Sequence, residues 1–227
     1  MPNSVSPAAP PGKHRVFVVD DHPIVRQGLA LLINQEPDLV VCGEAEEAGA
    51  VPGALASLQP DVLVLDISLP GRDGIELLKE IRTTDPELPI LVLSMHDESL
   101  YAERALRAGA SGYIMKQEAT ERVLVALRRI LRHEVYVSDR FASEVLHKIG
   151  GHTRARQPSV ASLSDRELEV FRLIGEGHAT RQIAEELHLS VKTVESYQAH
   201  IKEKLGLSSA RALVQRAIEW RLREKVD

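Results

Sequence analysis

A chain of 227 residues with 44% apolar and only 4% aromatic content can bury the cores of two small domains, and it offers no aromatic-rich binding surface. Its one cysteine, Cys42 in the apolar run LVVCG, excludes an internal disulfide and reads as a small core residue; no apolar run approaches membrane-spanning length and MPNSVSPAAPPGK has no apolar signal region, which predicts a soluble, cytoplasmic protein with no membrane partner. The net charge of −5 is uneven: residues 1–138 carry 13 Lys and Arg against 20 Asp and Glu, residues 139–158 four against two, and the remainder 11 against 11, so any nucleic-acid contact in the last part must rest on locally placed cations.

Residues 1–13, rich in Pro, Ser and Ala, read as a disordered tail. RVFVVD predicts a first strand that runs into a second acid, and Pro23 then opens an amphipathic helix to about residue 34, with Ile24, Val25, Leu29 and Leu32 facing a core. LVVCG predicts a second strand. The helix that should follow, over 48–58, is weakly specified because Gly49, Pro52 and Gly53 all cost helix stability. VLVLD is a continuous apolar run that reads as a strand buried on both faces and ends on Asp66; Pro70, Gly71 and Gly74 then break the chain. Asp73 followed by Glu76 resembles a capping box, opening a helix with Ile75, Leu78 and Ile81 on one face. PILVLS, ending on Ser94, is a fourth strand; a helix over 99–108 stops at Gly109; GYIMK is a fifth strand, ending near Lys116. A last helix carries Val123, Leu124, Leu127 and Leu131 to about residue 132. Five strands alternating with five helices predict a doubly wound, flavodoxin-like parallel sheet with right-handed crossovers.

Such sheets place their chemistry at the carboxyl edge of the strands. Asp20, Asp21, Asp66, Ser94 and Lys116 all fall there, so they should converge. Three crowded carboxylates repel unless a hard cation sits among them, and oxygen ligands of this kind suit Mg²⁺. A lysine and a hydroxyl beside them can then serve a transferred phosphoryl group, the lysine as a point charge and Ser94 as a hydrogen-bond donor.

On these residues, the region 14–137 resembles the receiver domain of two-component response regulators, in which an acidic pair follows the first strand, an aspartate the third, Thr or Ser the fourth and Lys the fifth. The resemblance implies that Asp66 accepts a phosphoryl group from a partner sensor histidine kinase, assisted by Lys116 and Ser94. It also implies that Asp21, Asp66 and the Ser68 carbonyl bind Mg²⁺, with Asp20 acting through water, and that Tyr113 is the switch aromatic. Met95 is bulkier than the small residue many receivers carry beside the hydroxyl. A haloacid-dehalogenase-like phosphatase is the competing enzymatic reading, but such sites carry a second Asp two residues on, where Ser68 stands.

Residues 138–162 read as a linker with one short helix over 139–149, followed by the polar connector GGHTRARQPSVAS, whose Arg154 and Arg156 are read as solvated charges. Residues 163–227 are helical in pattern throughout. Ser164 and Asp165 start a helix with Leu168, Phe171, Leu173 and Ile174 inward, ending near Gly175 and Gly177; Thr180 is expected to cap a short helix carrying Ile183, Ala184 and Leu187. Ser190 caps the next, with Val194, Ile201 and Leu205 as its core face. Two helices joined by the short turn HLS form a helix-turn-helix.

From SDRELEV through GEGHATRQIAEEL, LSVKTVESY and KLGL this segment is similar to the four-helix LuxR, NarL and FixJ type of DNA-binding domain. The resemblance implies that Glu195, Ser196 and Ala199 meet base edges in the major groove, while Lys192, Thr193, Tyr197, Gln198 and Lys202 position the phosphate backbone. Two departures stand out: Ala179 occupies a position usually held by a Ser cap, and Glu195 one often held by Lys. The helix over 209–220 would pair two such domains into a homodimer on DNA, with RNA polymerase as a further contact, although its Leu213 and Ala217 stripe can equally be packed within one domain. A protein-interaction module that no longer reads DNA is the alternative the neutral charge leaves open.

Overall fold

The computed structural model describes residues 12–69, 73–95, 98–149, 159–187 and 189–224. The chain divides into two compact units, residues 1–144 and residues 145–227. Most of the expected tail, the turn residues Pro70 and Gly71, and the linker arginines Arg154 and Arg156 lie outside the described residues.

The first unit is built on a five-stranded parallel sheet in the order β2-β1-β3-β4-β5, the flavodoxin-like order expected for alternating strands and helices. Its strands are β1 (His14–Val19), β2 (Leu39–Ala45), β3 (Val62–Asp66), β4 (Ile90–Ser94) and β5 (Gly112–Met115). Every residue of β3 and β4 is buried, as continuous apolar runs covered on both faces must be. Between the strands lie α1 (Pro23–Asn34), α2 (Val51–Leu58), α3 (Gly74–Thr84) and α4 (Glu98–Arg107), and α5 (Ala119–Ile130) follows β5. On one face, Val16, Val18, Val62, Val64, Leu91, Leu93 and Ile114 form a core with Leu29 and Ile33 of α1 and Val123, Leu127 and Ile130 of α5.

One sequence expectation needs correction here. Ile24 was assigned to the core face of α1 but is 84% exposed, and Ile33 is fully buried in its stead. Leu29 and Ile33 are four residues apart on one stripe, and Ile24 falls outside it. The weakly specified second helix begins as a 3-10 turn, Ala48–Ala50, before Pro52 in the first turn allows α2, and the chain leaves α2 through Gln59 in the left-handed region at φ 45.

The break after β3 is sterically exacting. Asp73 caps α3 by accepting from Ile75 N at 2.8 Å, and Gly74 lies so close to the preceding loop that a Cβ there would meet Ile67 Cα at 2.3 Å. Backbone cannot yield as a side chain can. Gly74→Ala is therefore expected to lower stability by roughly 3 kcal/mol, read as a shifted urea midpoint; an unchanged midpoint would mean this turn is not tightly built.

The second unit contains α7 (Asp165–Gly175), α8 (Thr180–Glu186), α9 (Val191–Leu205) and α10 (Ala210–Glu224), while α6 (Asp139–Ile149) forms the helix expected before the connector. Ser164 and Glu167 make a complete capping box at the start of α7, and Gly206 ends α9 in the left-handed region. Phe171 of α7 stacks obliquely on Trp220 of α10 with ring centroids 5.5 Å apart. The Leu213 and Ala217 stripe of α10 is buried within this unit, leaving Val214, Ile218 and Leu222 exposed. Ala179 is the N-cap of α8, so Thr180 is its first helical residue and not its cap; the Gln182 side chain accepts from Ala179 N at 2.8 Å. Among the described residues no helix is long and apolar enough to cross a membrane.

Candidate functional site

The strand ends converge as alternation of buried strands requires. Asp66 sits opposite Leu93, one residue before Ser94, and Ser94 pairs with Met115, one residue before Lys116. Asp20 follows β1 directly. Lys116 Nζ lies 2.6 Å from Asp66 Oδ2 and 2.7 Å from Asp20 Oδ2, joining residues 50 and 96 positions away in the chain. All three side chains are nearly or wholly buried, as are those of Ser94 and Tyr113. Asp66 Oδ1 accepts from Ser68 N at 2.8 Å, which fixes the carboxylate plane and turns the loop after β3 around it. Asp21 is only half-buried and stands at the rim.

The balance of charges leaves the cluster short of a cation. Burial pushes the Asp66 carboxyl up, outweighing the pull of the Lys116 ammonium and the Ser68 N–H, and the Asp20 carboxylate adds to the rise. Burial opposes the charge of Lys116 too, but the Asp66 and Asp20 carboxylates more than offset it and hold the ammonium up. Carboxylate oxygens of Asp20, Asp21 and Asp66 and a ring nitrogen of His22 come within 4.8 Å of one another. Asp20 Oδ2 and Asp21 Oδ1 are buried without a well-aligned hydrogen bond, although Lys116 Nζ and His22 Nδ1 approach them to 2.7 and 2.6 Å. Oxygen donors with unspent acceptor capacity fit a hard divalent cation such as Mg²⁺.

Two contributors were not read from the sequence. His22, directly after the acid pair, donates its backbone N–H to Asp20 Oδ1 at 2.8 Å and is the N-cap of α1. Arg26, one turn on, donates to the Asp20 carbonyl at 2.5 Å and is neutralised by Glu44 and Glu46, so it holds the loop in place without adding net charge to the pocket. The position of His22 beside two acids was a usable signal; nothing local marks Arg26.

In the second unit, Ser190 caps α9 by accepting from Thr193 N, and Val194 and Ile201 bury its inner face. Lys192, Glu195, Ser196 and Ala199 are exposed on the other side, with Thr193, Tyr197 and Lys202 half-buried beside them. Lys192 and Lys202 have no acidic partner among the described residues. The Ser196 hydroxyl donates to the Lys192 carbonyl. Gln198 is half-buried, and its Nε2 donates to Thr180 Oγ1 at 3.2 Å, tying α9 to α8.

Residues 16–128 match the response regulator receiver domain, and residues 161–217 match the luxR family of bacterial regulatory proteins. The oxygen regulatory protein NreC of Staphylococcus haemolyticus is 35% identical over 213 residues, covering 92% of this chain and 98% of that protein. Among solved structures, RcsB of Salmonella typhimurium is similar with a TM-score of 0.71 at 31% identity, over 92% of this chain and 98% of its own. RcsB from Salmonella enterica serovar Typhimurium bound to the promoter rprA in the presence of phosphomimetic BeF3- gives 0.66 at 32% identity, over 89% and 97%. A flavodoxin-like sheet with an acidic carboxyl edge, followed by a helix-turn-helix unit, thus has its counterpart along nearly the whole chain: this protein belongs to the DNA-binding two-component response regulators of the NarL/LuxR type.

Proposed function

We propose that Asp66 is the phosphoacceptor and that its phosphorylation controls dimerisation and sequence-specific DNA binding. The observation that carries this reading is Lys116 Nζ held within 2.7 Å of both Asp66 and Asp20 at the buried sheet edge. An Asp66 oxygen attacks the phosphorus of a phosphohistidine on a sensor histidine kinase; the P–N bond breaks, the P–O bond forms, and the imidazole leaves as the neutral base after taking a proton. Asp20, Asp21, Asp66 and the Ser68 carbonyl would hold Mg²⁺, which supplies charge neutralisation for the crowded oxygens. Lys116 gives the transferred group a fixed positive charge, and Ser94 gives it a hydroxyl donor. Drawing Ser94 towards the phosphoryl oxygens opens room beside β4 for Tyr113 to repack.

In the second unit α9 is the recognition helix. Glu195, Ser196 and Ala199 face base edges, and Lys192, Thr193, Tyr197, Gln198 and Lys202 face phosphates, Gln198 also holding α9 on α8 through Thr180. The exposed Val214, Ile218 and Leu222 recur every fourth residue along α10 and supply a self-complementary stripe for a homodimer reading two half-sites. RNA polymerase is the further partner such a DNA-bound dimer would meet.

Selection from random DNA, with and without acetyl phosphate and Mg²⁺, tests the reading. A two-fold symmetric site recovered only with the donor supports it; equal recovery in both arms removes the switch. On the selected site, Lys202→Ala should weaken binding to all sequences and flatten the salt dependence by about 0.9 in log–log slope, whereas Glu195→Ala should relax base preference at one position. A preference change from Lys202→Ala would overturn this docking.

A further inference from the structure

We propose that Glu98 is a positioning residue that carries the state of the receiver site to α6, the helix that leads out of the first unit. This rests on the phosphoacceptor reading of Asp66.

After α5 the chain passes through His133, at φ 61 in the left-handed region, and returns alongside the sheet. Tyr136 there pairs with Gly112 as a parallel bridge: Tyr136 N donates to Ser111 O at 3.1 Å, and Tyr113 N donates to Tyr136 O at 2.9 Å. The approach leaves no space for a side chain at position 112, where a Cβ would meet Tyr136 O at 2.9 Å. The main chain of Tyr113 is thereby bonded to the segment that becomes α6. Arg129 of α5 adds a clasp, its guanidinium 5.5 Å from the centre of the Tyr136 ring.

Two residues on, the segment is tied to α4. Glu98, the first residue of α4 and four residues after Ser94, accepts from Ser138 N at 2.8 Å through one carboxylate oxygen and from the Ser138 hydroxyl through the other. The same hydroxyl accepts from Phe141 N at 3.1 Å, in the first turn of α6, and Phe141 is buried. Ser138 is thus the cap of α6, and its hydroxyl is oriented by a carboxylate borne on α4. A bidentate acceptor of this kind is geometrically demanding: a shift of about 1 Å at the start of α4 breaks both bonds, because hydrogen bonds weaken steeply away from their preferred length and angle.

The joint therefore links the two places that answer to a phosphoryl group, the main chain after Ser94 and the strand of Tyr113, to the first turn of α6. With Ser94 drawn towards Asp66, the start of α4 moves, Glu98 releases Ser138, and the first turn of α6 loses its oriented cap and frays. In the resting protein the joint holds that turn closed.

The test is hydrogen–deuterium exchange of the α6 amides in the full chain, with and without acetyl phosphate and Mg²⁺, beside the extent of Asp66 phosphorylation on a phosphate-affinity gel. In the native sequence the donor should speed exchange over 140–145 about tenfold, the loss expected for a charge-assisted cap. Glu98→Ala should exchange at the fast rate in both arms while Asp66 is phosphorylated as before. Glu98→Gln, which keeps an acceptor for the Ser138 N–H, should restore part of the response, and Ser138→Ala, which leaves α4 unchanged, should abolish it. A full donor response surviving in Glu98→Ala or in Ser138→Ala overturns the proposal. Absence of Asp66 phosphorylation in the native sequence overturns the phosphoacceptor reading instead.

Discussion

Asp66→Asn is expected to take up no phosphoryl group from acetyl phosphate and, in EDTA at neutral pH, to melt several degrees above the native protein. The first effect follows from chemistry: an amide oxygen is no nucleophile towards phosphorus, and Asp66 is the carboxylate that Lys116 Nζ and the Ser68 N–H hold in place at the end of β3. The second follows from linkage. Burial raises the folded-state pKa of Asp66 above its unfolded value, so its contribution to stability is fully present below the unfolded value, near ~3.9, and is lost as pH rises through the folded one. At pH 7 the buried charge is a net cost that the isosteric amide removes. Lys116 keeps Asp20 as a partner, which limits the gain to about 1 kcal/mol. Calorimetry at pH 7 and again near pH 4 checks the sign, since the advantage should shrink on acidification. A lower melting temperature for Asp66→Asn at pH 7 would refute the electrostatic account, and continued phosphorylation would refute the site.

The receiver site was legible because each of its parts is marked by a local pattern. An apolar run long enough for a strand and ending on a polar residue places that residue at the sheet edge, and the alternation of strands and helices makes all such edges coincide; Asp20, Asp66, Ser94 and Lys116 were found in that way. Partnerships between distant side chains leave no such mark. Nothing in the text of the sequence says that Glu98 meets Ser138 or that Arg26 reaches the Asp20 carbonyl, since both depend on the packed positions of separate elements. Ile24 shows the limit of periodicity itself: in a short helix rich in Ile, Val and Leu, several registers give an apolar stripe, and only packing on β1 and α5 selects the one through Leu29 and Ile33.

The neutral charge of residues 159–227 follows from how their ions pair. Arg166 with Glu169, Arg172 with Glu176, Arg181 with Glu185 and Lys204 with Glu167 are spent within or between their own helices. Lys192 and Lys202 of α9 remain without an acidic partner among the described residues, which leaves two cations of this helix available. A segment that is neutral in composition can therefore still offer local cations to phosphates, here with Glu195 standing between them on the same exposed side of α9.

Among those pairs, the one at Glu167 should matter most, and Glu167→Ala is expected to destabilise the second unit by about 2–3 kcal/mol. Glu167 is almost fully buried, accepts from Ser164 N at 2.7 Å, and receives Lys204 Nζ from α9 on the same oxygen at 2.6 Å. Burial pushes its carboxyl up, but the Lys204 ammonium and the Ser164 N–H and hydroxyl together outweigh this and hold it below the ordinary value. Its stabilising contribution is therefore present above the unfolded value, near ~4.3, and lost as pH falls through the lowered folded value. Alanine removes the reciprocal half of the capping box and frees the C-terminal end of α9 from α7 in one step. Lys204 is 41% exposed, so its ion pair is screened and Lys204→Met should cost only about 0.5–1 kcal/mol, with the double variant no worse than Glu167→Ala alone. The sole tryptophan, Trp220, rests on Phe171 of α7 and reports this unit selectively in urea titrations followed by fluorescence. If Glu167→Ala moved that transition by less than Lys204→Met does, the capping box would not be what anchors α7, and the orientation of α9 would have to be set by the Gln198 and Thr180 contact instead.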